Sequence, residues 1–118
     1  MKVIKNGYDL IEALESMTSE QLDNPVIYYN CTEERWSRIG MIDNGDNCGV
    51  SFLPTCLIST ELSGNCVLEI LKGMSAKKLE KEVVVMNDYE EWDNDVTVFF
   101  GKDGKSIDIV VDYNKMAT

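Results

Sequence analysis

The stretch LIEALESMTSEQLDNPVIYYN at residues 10–30 decides the fold, because a second stretch of the same pattern follows it 57 positions later. VLEILKGMSAKKLEKEVVVMN at residues 67–87 aligns with it without a gap. The same offset places Gly7 over Gly64 and, further on, Leu53 over Val110. The identical pairs include Glu12 and Glu69, Leu14 and Leu71, Met17 and Met74, Leu22 and Leu79, Val26 and Val83, and Asn30 and Asn87. Two copies are too few for a solenoid, so the repeat predicts a pair of units related by an approximate two-fold axis.

Each copy begins with an amphipathic helix and a short helical turn. The helical stripe is formed by Leu10, Ile11, Leu14 and Met17 in the first copy and by Val67, Leu68, Leu71 and Met74 in the second. Asp9 and Asn65 are the expected N-caps of the two helices, because their side chains can accept hydrogen bonds from free backbone N–H groups. Thr18 and Ser75 are expected to start the short turns.

Three strands follow in each copy. They are predicted at residues 26–30, 35–42 and 48–53, and again at 82–86, 96–100 and 106–111. Asp103-Gly104 is typical of a hairpin turn between alternating strands. The predicted fold class is therefore α+β, a tandem pseudo-two-fold duplication of an α-β-β-β unit with antiparallel meander sheets, each covered by a helix. The first unit and a connecting segment occupy residues 1–63 and the second unit residues 64–118, and we expect them to form one compact globule.

The composition is strongly acidic. The 118 residues include 21 acidic and 11 basic residues and no histidine, which gives a formal charge of −10. Such a surface repels phosphate backbones and anionic membranes, so we expect no direct nucleic-acid or membrane binding, and a basic partner is favoured. No apolar run approaches the roughly 20 residues of a membrane span. The N-terminus also lacks the apolar core of a signal peptide, and a cytoplasmic location is the expectation.

The sequence offers little for metal binding or catalysis. Cys31, Cys48, Cys56 and Cys66 form no Cys-x-x-Cys pair, so idle thiols are expected, with a disulfide as the alternative. DNGDNCG at residues 43–49 lacks the ligand spacing of a calcium loop and is predicted to be a hairpin turn. Without a histidine base or a phosphate-binding glycine motif, we expect no catalytic residue, no metal and no cofactor.

The most unusual stretch is DYEEWDND at residues 88–95, in which five carboxylates surround a tyrosine and a tryptophan. The matching loop of the first copy is TEERW at residues 32–36. Aromatic anchors dominate many interfaces, and clustered carboxylates suit a basic groove or imitate a phosphate backbone. The alternative is a solvated hairpin loop whose aromatic side chains fold back onto the sheet. The candidate partner-binding residues are Asp88, Tyr89, Glu90, Glu91, Trp92, Asp93, Asp95, Glu33, Glu34 and Trp36.

The helix, the Ser/Thr-x-x-x-Leu turn and the Pro-Val or Glu-Val that opens a strand occupy residues 14–26 and 71–83. This arrangement is similar to that of many small uncharacterised phage and prophage proteins. The resemblance implies no catalytic residues. It implies a chain that binds and inhibits a host protein.

The function predicted from the sequence is a non-enzymatic acidic protein-interaction module, a monomer or homodimer whose unknown protein partner has a basic or nucleic-acid-binding site. One alternative is a small-molecule-binding or enzymatic role in a pocket between the two units. A second alternative is a structural subunit that self-associates through an unpaired sheet edge.

Overall fold

The computed structural model describes residues 3–30, 34–43, 49–55, 62–86, 92–93 and 96–111, with the backbone alone for some strand residues. Four helices and eight strands lie in these ranges. The helices are α1 Gly7–Glu15, α2 Ser19–Leu22, α3 Gly64–Lys72 and α4 Ala76–Leu79. The strands are β1 Val3–Ile4, β2 Val26–Asn30, β3 Arg35–Asp43, β4 Ser51–Thr55, β5 Val84–Met86, β6 Trp92–Asp93, β7 Val96–Phe100 and β8 Ile107–Val111.

Both long helices begin earlier than the sequence predicts. Asn6 is the N-cap of α1, and its side-chain oxygen accepts a 3.0 Å hydrogen bond from the backbone N–H of Asp9. Ser63 has the same role for α3. The predicted caps, Asp9 and Asn65, are therefore wrong and lie inside the first turns. The reason is the glycine that follows each true cap, because it lets the first turn approach another part of the chain closely.

The short helices begin as predicted. Thr18 Oγ1 accepts from the backbone N–H of Gln21 at 3.1 Å, and Gln21 Oε1 accepts from the backbone N–H of Thr18 at 3.0 Å. This reciprocal pair is a capping box, which satisfies two N–H groups that the helix itself cannot. Ser75 caps α4 through a 3.2 Å hydrogen bond from the backbone N–H of Lys78. Each short helix buries one leucine, Leu22 or Leu79.

The eight described strands form one mixed sheet in the order β1-β7-β8-β2-β3-β4-β5-β6. Three of the predicted hairpins are present, since β2–β3, β3–β4 and β7–β8 are antiparallel neighbours. The hairpin predicted between residues 82–86 and 96–100 is wrong, because β5 pairs with β6 and not with β7. The prediction of separate antiparallel meander sheets is wrong. β2 pairs with β8 and β4 pairs with β5, and both pairings are parallel. Each unit alone would leave its outer strands with unpaired backbone groups, and the strands of the other unit satisfy them.

The hairpin between β7 and β8 turns where the sequence predicts. The backbone N–H of Gly101 donates to the carbonyl of Ser106 at 2.8 Å, and the N–H of Gly104 donates to the carbonyl of Gly101 at 3.0 Å. Gly104 has a φ of 73°, a conformation that costs glycine little and most other residues more. The loop is longer than a two-residue hairpin because residues 101–106 separate the two strands.

The sheet curls around the core. β6 pairs with β5 at one end of the strand order, and β7 pairs with β8 near the other end. Only two residues separate β6 from β7 in the chain, so their ends lie within about 11 Å of each other. The concave face is apolar and packs against α1 and α3, which also contact each other. The largest fully buried side chains of the core between sheet and helices are Phe52, Ile4, Leu10, Leu14, Ile39, Leu71, Ile107 and Ile109.

We expect Gly7→Ala to destabilise the fold. A Cβ at this position would lie 2.6 Å from Cδ2 and 3.0 Å from Cα of Leu79, so backbone must shift. Overpacking of this kind costs about 1–3 kcal/mol of unfolding free energy. Gly73→Ala is the matched control, because its Cβ would have no neighbour closer than 3.5 Å and its φ is −84°. We expect that change to raise the unfolding free energy by about 0.4–1 kcal/mol. Urea unfolding measures both, and equal stability of the two variants would contradict the close approach.

We also expect that neither unit folds alone, because the two parallel pairings join strands of different units. Fragments 1–61 and 62–118 carry one tryptophan each. Each fragment should lack cooperative unfolding, and mixing them should restore it together with the circular dichroism of the full chain. A fragment that unfolds cooperatively by itself would overturn this expectation.

Candidate interaction surface

The structure places only part of the predicted site. Asp88, Tyr89, Glu90, Glu91, Asp95 and Glu33 lie outside the described residues. Trp92 and Asp93 form β6, of which the backbone is described. Glu34 and Trp36 are described together with their side-chain exposure, so the predicted surface can be built from these two residues outward.

Trp36 packs against a neighbouring aromatic ring and remains exposed. It faces Tyr29 across the β2–β3 hairpin, with ring centroids 4.5 Å apart and ring planes tilted by 37°. Such aromatic pairs contribute about 0.5–1.5 kcal/mol beyond the area they bury. The indole is nevertheless 56% exposed, while Tyr29 is half-buried. The side chain of Trp36 therefore rests on the sheet and offers its outer face to solvent.

Glu34 precedes this pair in the reversal between β2 and β3. It has a φ of 54°, the left-handed conformation, and is the one non-glycine residue with positive φ in the described part of the chain. Left-handed residues are common where a hairpin reverses direction. Its side chain is exposed, so a carboxylate lies two residues from the exposed tryptophan.

The aromatic pair ends a row that crosses the convex face of the sheet. Strand register aligns Val3, Thr97, Val110, Tyr29 and Trp36 on neighbouring strands. The ends of the row are exposed, with Val3 at 43%, while Thr97 and Val110 at its centre are 1% and 3% exposed. Sequence reasoning missed Val3 and Tyr29. The alternation of buried Val26 and Tyr28 with Ile27 and Tyr29 would have placed Tyr29 on this face.

A buried carboxylate lies in the next row of the same face. Asp108 aligns with Phe99 on one side and Ile27 on the other, and it is 6% exposed. Its Oδ1 accepts a 2.6 Å hydrogen bond from Ser106 Oγ. Burial raises the pKa of Asp108 above its usual value; the hydrogen bond from Ser106 acts against this, and the charge of Asp103 adds to it. The alternation in IDIVV does not reveal this burial, since a polar residue there would ordinarily face solvent.

A cleft of about 410 Å³ separates the end of α1 and α2 from β7. Its lining is mostly apolar and comprises Glu12, Ala13, Ser16, Met17, Gln21, Val98, Phe99 and Phe100. The helices belong to the first unit and β7 to the second, so the cleft lies at the boundary between the units. Among the features that the structure describes, this cleft best matches the pocket that the sequence predicts between the two units.

Other sites have little support in the described ranges. Within them, no group of three or more Cys, Asp or Glu residues could hold a metal ion. Cys66 is a free, exposed thiol, and the other three cysteines lie outside the described residues. None of the described helices is long and apolar enough to span a membrane.

Comparison of the chain with protein-family models, with curated proteins and with solved structures gives no match in any of the three.

We expect Asp108→Asn to stabilise the fold at neutral pH, because asparagine is uncharged and still accepts the hydrogen bond from Ser106. The folded-state pKa of Asp108 lies above the unfolded value of 3.8. Protonation therefore favours folding, and the wild type loses this contribution as pH rises from about 3.8 through the folded-state pKa. The difference in unfolding free energy between variant and wild type should grow over that window and then level off. Urea unfolding at several pH values measures it, and a difference independent of pH would contradict the assignment.

Proposed function

We propose that the chain is a non-enzymatic protein-interaction module that binds a basic partner through the convex face around Trp36. The observation that carries the proposal is that Trp36 is 56% exposed while its ring packs against that of Tyr29. A tryptophan held by stacking loses little further side-chain freedom on binding, which makes it an effective anchor. The exposed carboxylate of Glu34, two residues before Trp36 in the chain, adds negative charge to this end of the hairpin.

The charge of the whole chain supports a basic partner. A formal charge of −10 raises the association rate with a positively charged surface and lowers it with an acidic one. We propose that the acidic residues 88–95, which follow β5 and include β6, add to this field. The similarity to phage proteins adds the proposal that the partner is a host protein whose basic site becomes blocked.

We propose further that the two units arose by duplication and are related by an approximate two-fold axis. The bounds of α1 and α3 differ by 57 residues at both ends, and so do those of α2 and α4. A contact that a residue of the first unit makes with the second recurs 57 positions later, where the corresponding residue of the second unit contacts the first. Asn6 bridges to Glu82 as Ser63 bridges to Pro25, and Gly7 lies against Leu79 as Gly64 lies against Leu22.

The parallel pairings support the same proposal. Val26 of the first unit is aligned with Ile107 of the second. At the offset of 57, Val26 corresponds to Val83 and Ile107 corresponds to Val50. Those two residues directly precede the aligned pair Val84 and Ser51. Because both pairings follow one rule, a single two-fold operation accounts for how the units are joined.

The enzymatic alternative has less support. Glu12 is the one ionisable residue among those that line the cleft, and acid–base catalysis usually needs a second group. A small-molecule ligand remains the alternative occupant of that cleft.

We expect Trp36→Ala to weaken partner binding about 30-fold or more, the loss typical of a central aromatic anchor. The partner is first identified by cross-linking from the native host, and its dissociation constant is then measured by calorimetry. Tyr8→Ala is the matched control, because Tyr8 is a 44% exposed aromatic residue on α1, away from the convex face. Unchanged affinity of Trp36→Ala would remove the convex face from consideration.

A second experiment tests the role of charge. Replacing Glu90, Glu91, Asp93 and Asp95 with the corresponding amides should lower the association rate and flatten its dependence on salt, with a smaller effect on dissociation. An association rate that does not change would show that residues 88–95 do not contribute.

A further inference from the structure

We propose that Trp36 binds an arginine side chain of the partner, with the guanidinium plane stacked on the outer face of the indole ring. The inference rests on the function proposed above, because it specifies which group of a basic partner the convex face recognises. It goes further than attraction between opposite charges, since it assigns recognition to the face of one aromatic ring.

The first argument is the orientation of the Trp36 ring. Its centroid lies 4.5 Å from that of Tyr29, and the two ring planes are tilted by 37°. At this separation and tilt one face of the indole is turned toward Tyr29. Trp36 is nevertheless 56% exposed, so the opposite face is open to solvent. The face of an aromatic ring carries the negative part of its quadrupole, and tryptophan attracts cations there more strongly than tyrosine or phenylalanine does.

The second argument is the small extent of the exposed apolar surface. Next to Trp36 in its row, Tyr29 is half-buried and Val110 is only 3% exposed. Among the described residues, the other exposed large apolar side chains are Val3 and Tyr8. Val3 is four strands away, about 19 Å along the sheet, and Tyr8 belongs to α1 on the concave side. An apolar partner surface needs a wide patch, because its attraction grows with the area buried. A single indole is sufficient for one guanidinium group.

The third argument is charge. The formal charge of −10 attracts cations and repels phosphate groups and acidic peptides. Glu34, two residues before Trp36 in the chain, is exposed and adds negative charge to this end of the hairpin. The occupant of the indole face is therefore a cation.

The choice of arginine over lysine follows from hydration. All five N–H donors of a guanidinium group lie in its plane, so they stay hydrogen-bonded to water when the plane stacks on a ring. An ammonium group is more strongly hydrated, and it must turn part of its hydration shell toward the ring to make the same approach. On an exposed indole this difference favours arginine.

The experiment uses the full chain with Trp92→Phe, which leaves Trp36 as the one tryptophan of the two in the sequence. Trp36 is labelled with 5-fluorotryptophan, and the probe is a blocked hexapeptide of alternating arginine and glycine. We expect a saturable shift of the single ¹⁹F resonance. The corresponding citrulline peptide, which is uncharged, should bind at least about fivefold more weakly, and the lysine peptide about two- to fivefold more weakly.

A series of fluorinated tryptophans separates attraction to the ring face from apolar contact. Each added fluorine withdraws electron density from the face and changes the size of the ring little. From one to three fluorine atoms, the affinity for the arginine peptide should fall stepwise, by about two- to fivefold in all. The affinity for the citrulline peptide should not change. Trp36→Leu, which keeps an apolar side chain without a ring, should lose at least as much affinity for the arginine peptide as the full series.

Three protein variants complete the test. Glu34→Gln should weaken the arginine and lysine peptides by the same factor, because charge attraction does not distinguish them. Tyr8→Ala, which removes an exposed aromatic ring outside the convex face, should bind the arginine peptide as the wild type does. Trp36→Phe in the otherwise wild-type chain assigns the Trp36 resonance by its loss, so the titration can be made even if Trp92→Phe does not fold.

Four results would overturn the inference. The affinity for the arginine peptide stays constant through the fluorinated series, the citrulline or the lysine peptide binds as tightly as the arginine peptide, or the arginine peptide leaves the Trp36 resonance unshifted. Each of these outcomes leaves Trp36 available as an apolar anchor, so the proposed function would stand without the inference. The proposed function fails separately, when Trp36→Ala retains full affinity for the partner itself.

Discussion

The rest of the structure depends on the parallel pairing of β2 with β8 and of β4 with β5. These ladders join strands whose residues are far apart in the chain, and they turn two incomplete units into one sheet. The outer strands of each unit find their partners in the other, and the short link between β6 and β7 curls the sheet. The helices α1 and α3 contact each other on its concave face. The glycines at the start of both helices belong to the same constraint, since each lies against the short helix of the other unit.

The curvature also divides the side chains into two populations. The concave face carries the apolar core, and the convex face carries a mixed row that ends in Tyr29 and Trp36. The centre of that face is covered, as the burial of Thr97 and Val110 shows. Thr97 Oγ1 is buried and has no hydrogen-bond partner among the described residues. A partner that recognises the convex face would therefore approach the exposed end at Trp36.

The two units share the features that bury the core. The apolar stripe of the helices and the leucine of each short helix occur in both copies, because both are needed to bury the same core. Other positions differ in size and polarity, as where Ala13 and Gln21 in the first unit correspond to Ile70 and Lys78 in the second.

Local sequence determined the elements. The stripe at helical spacing, the caps Thr18 and Ser75 and the turn at Gly104 follow from side-chain chemistry and backbone preference within a few residues, and the structure has them. The caps at Asp9 and Asn65 were wrong because the close approach of Gly7 and Gly64 to distant leucines set the helix starts. Alternation within a strand states which side chains share a face, but not which strand becomes the neighbour. Only the tertiary structure therefore decided the parallel pairings, the burial of Asp108 and the exposure of Trp36, since each depends on residues that meet only after distant parts of the chain have joined.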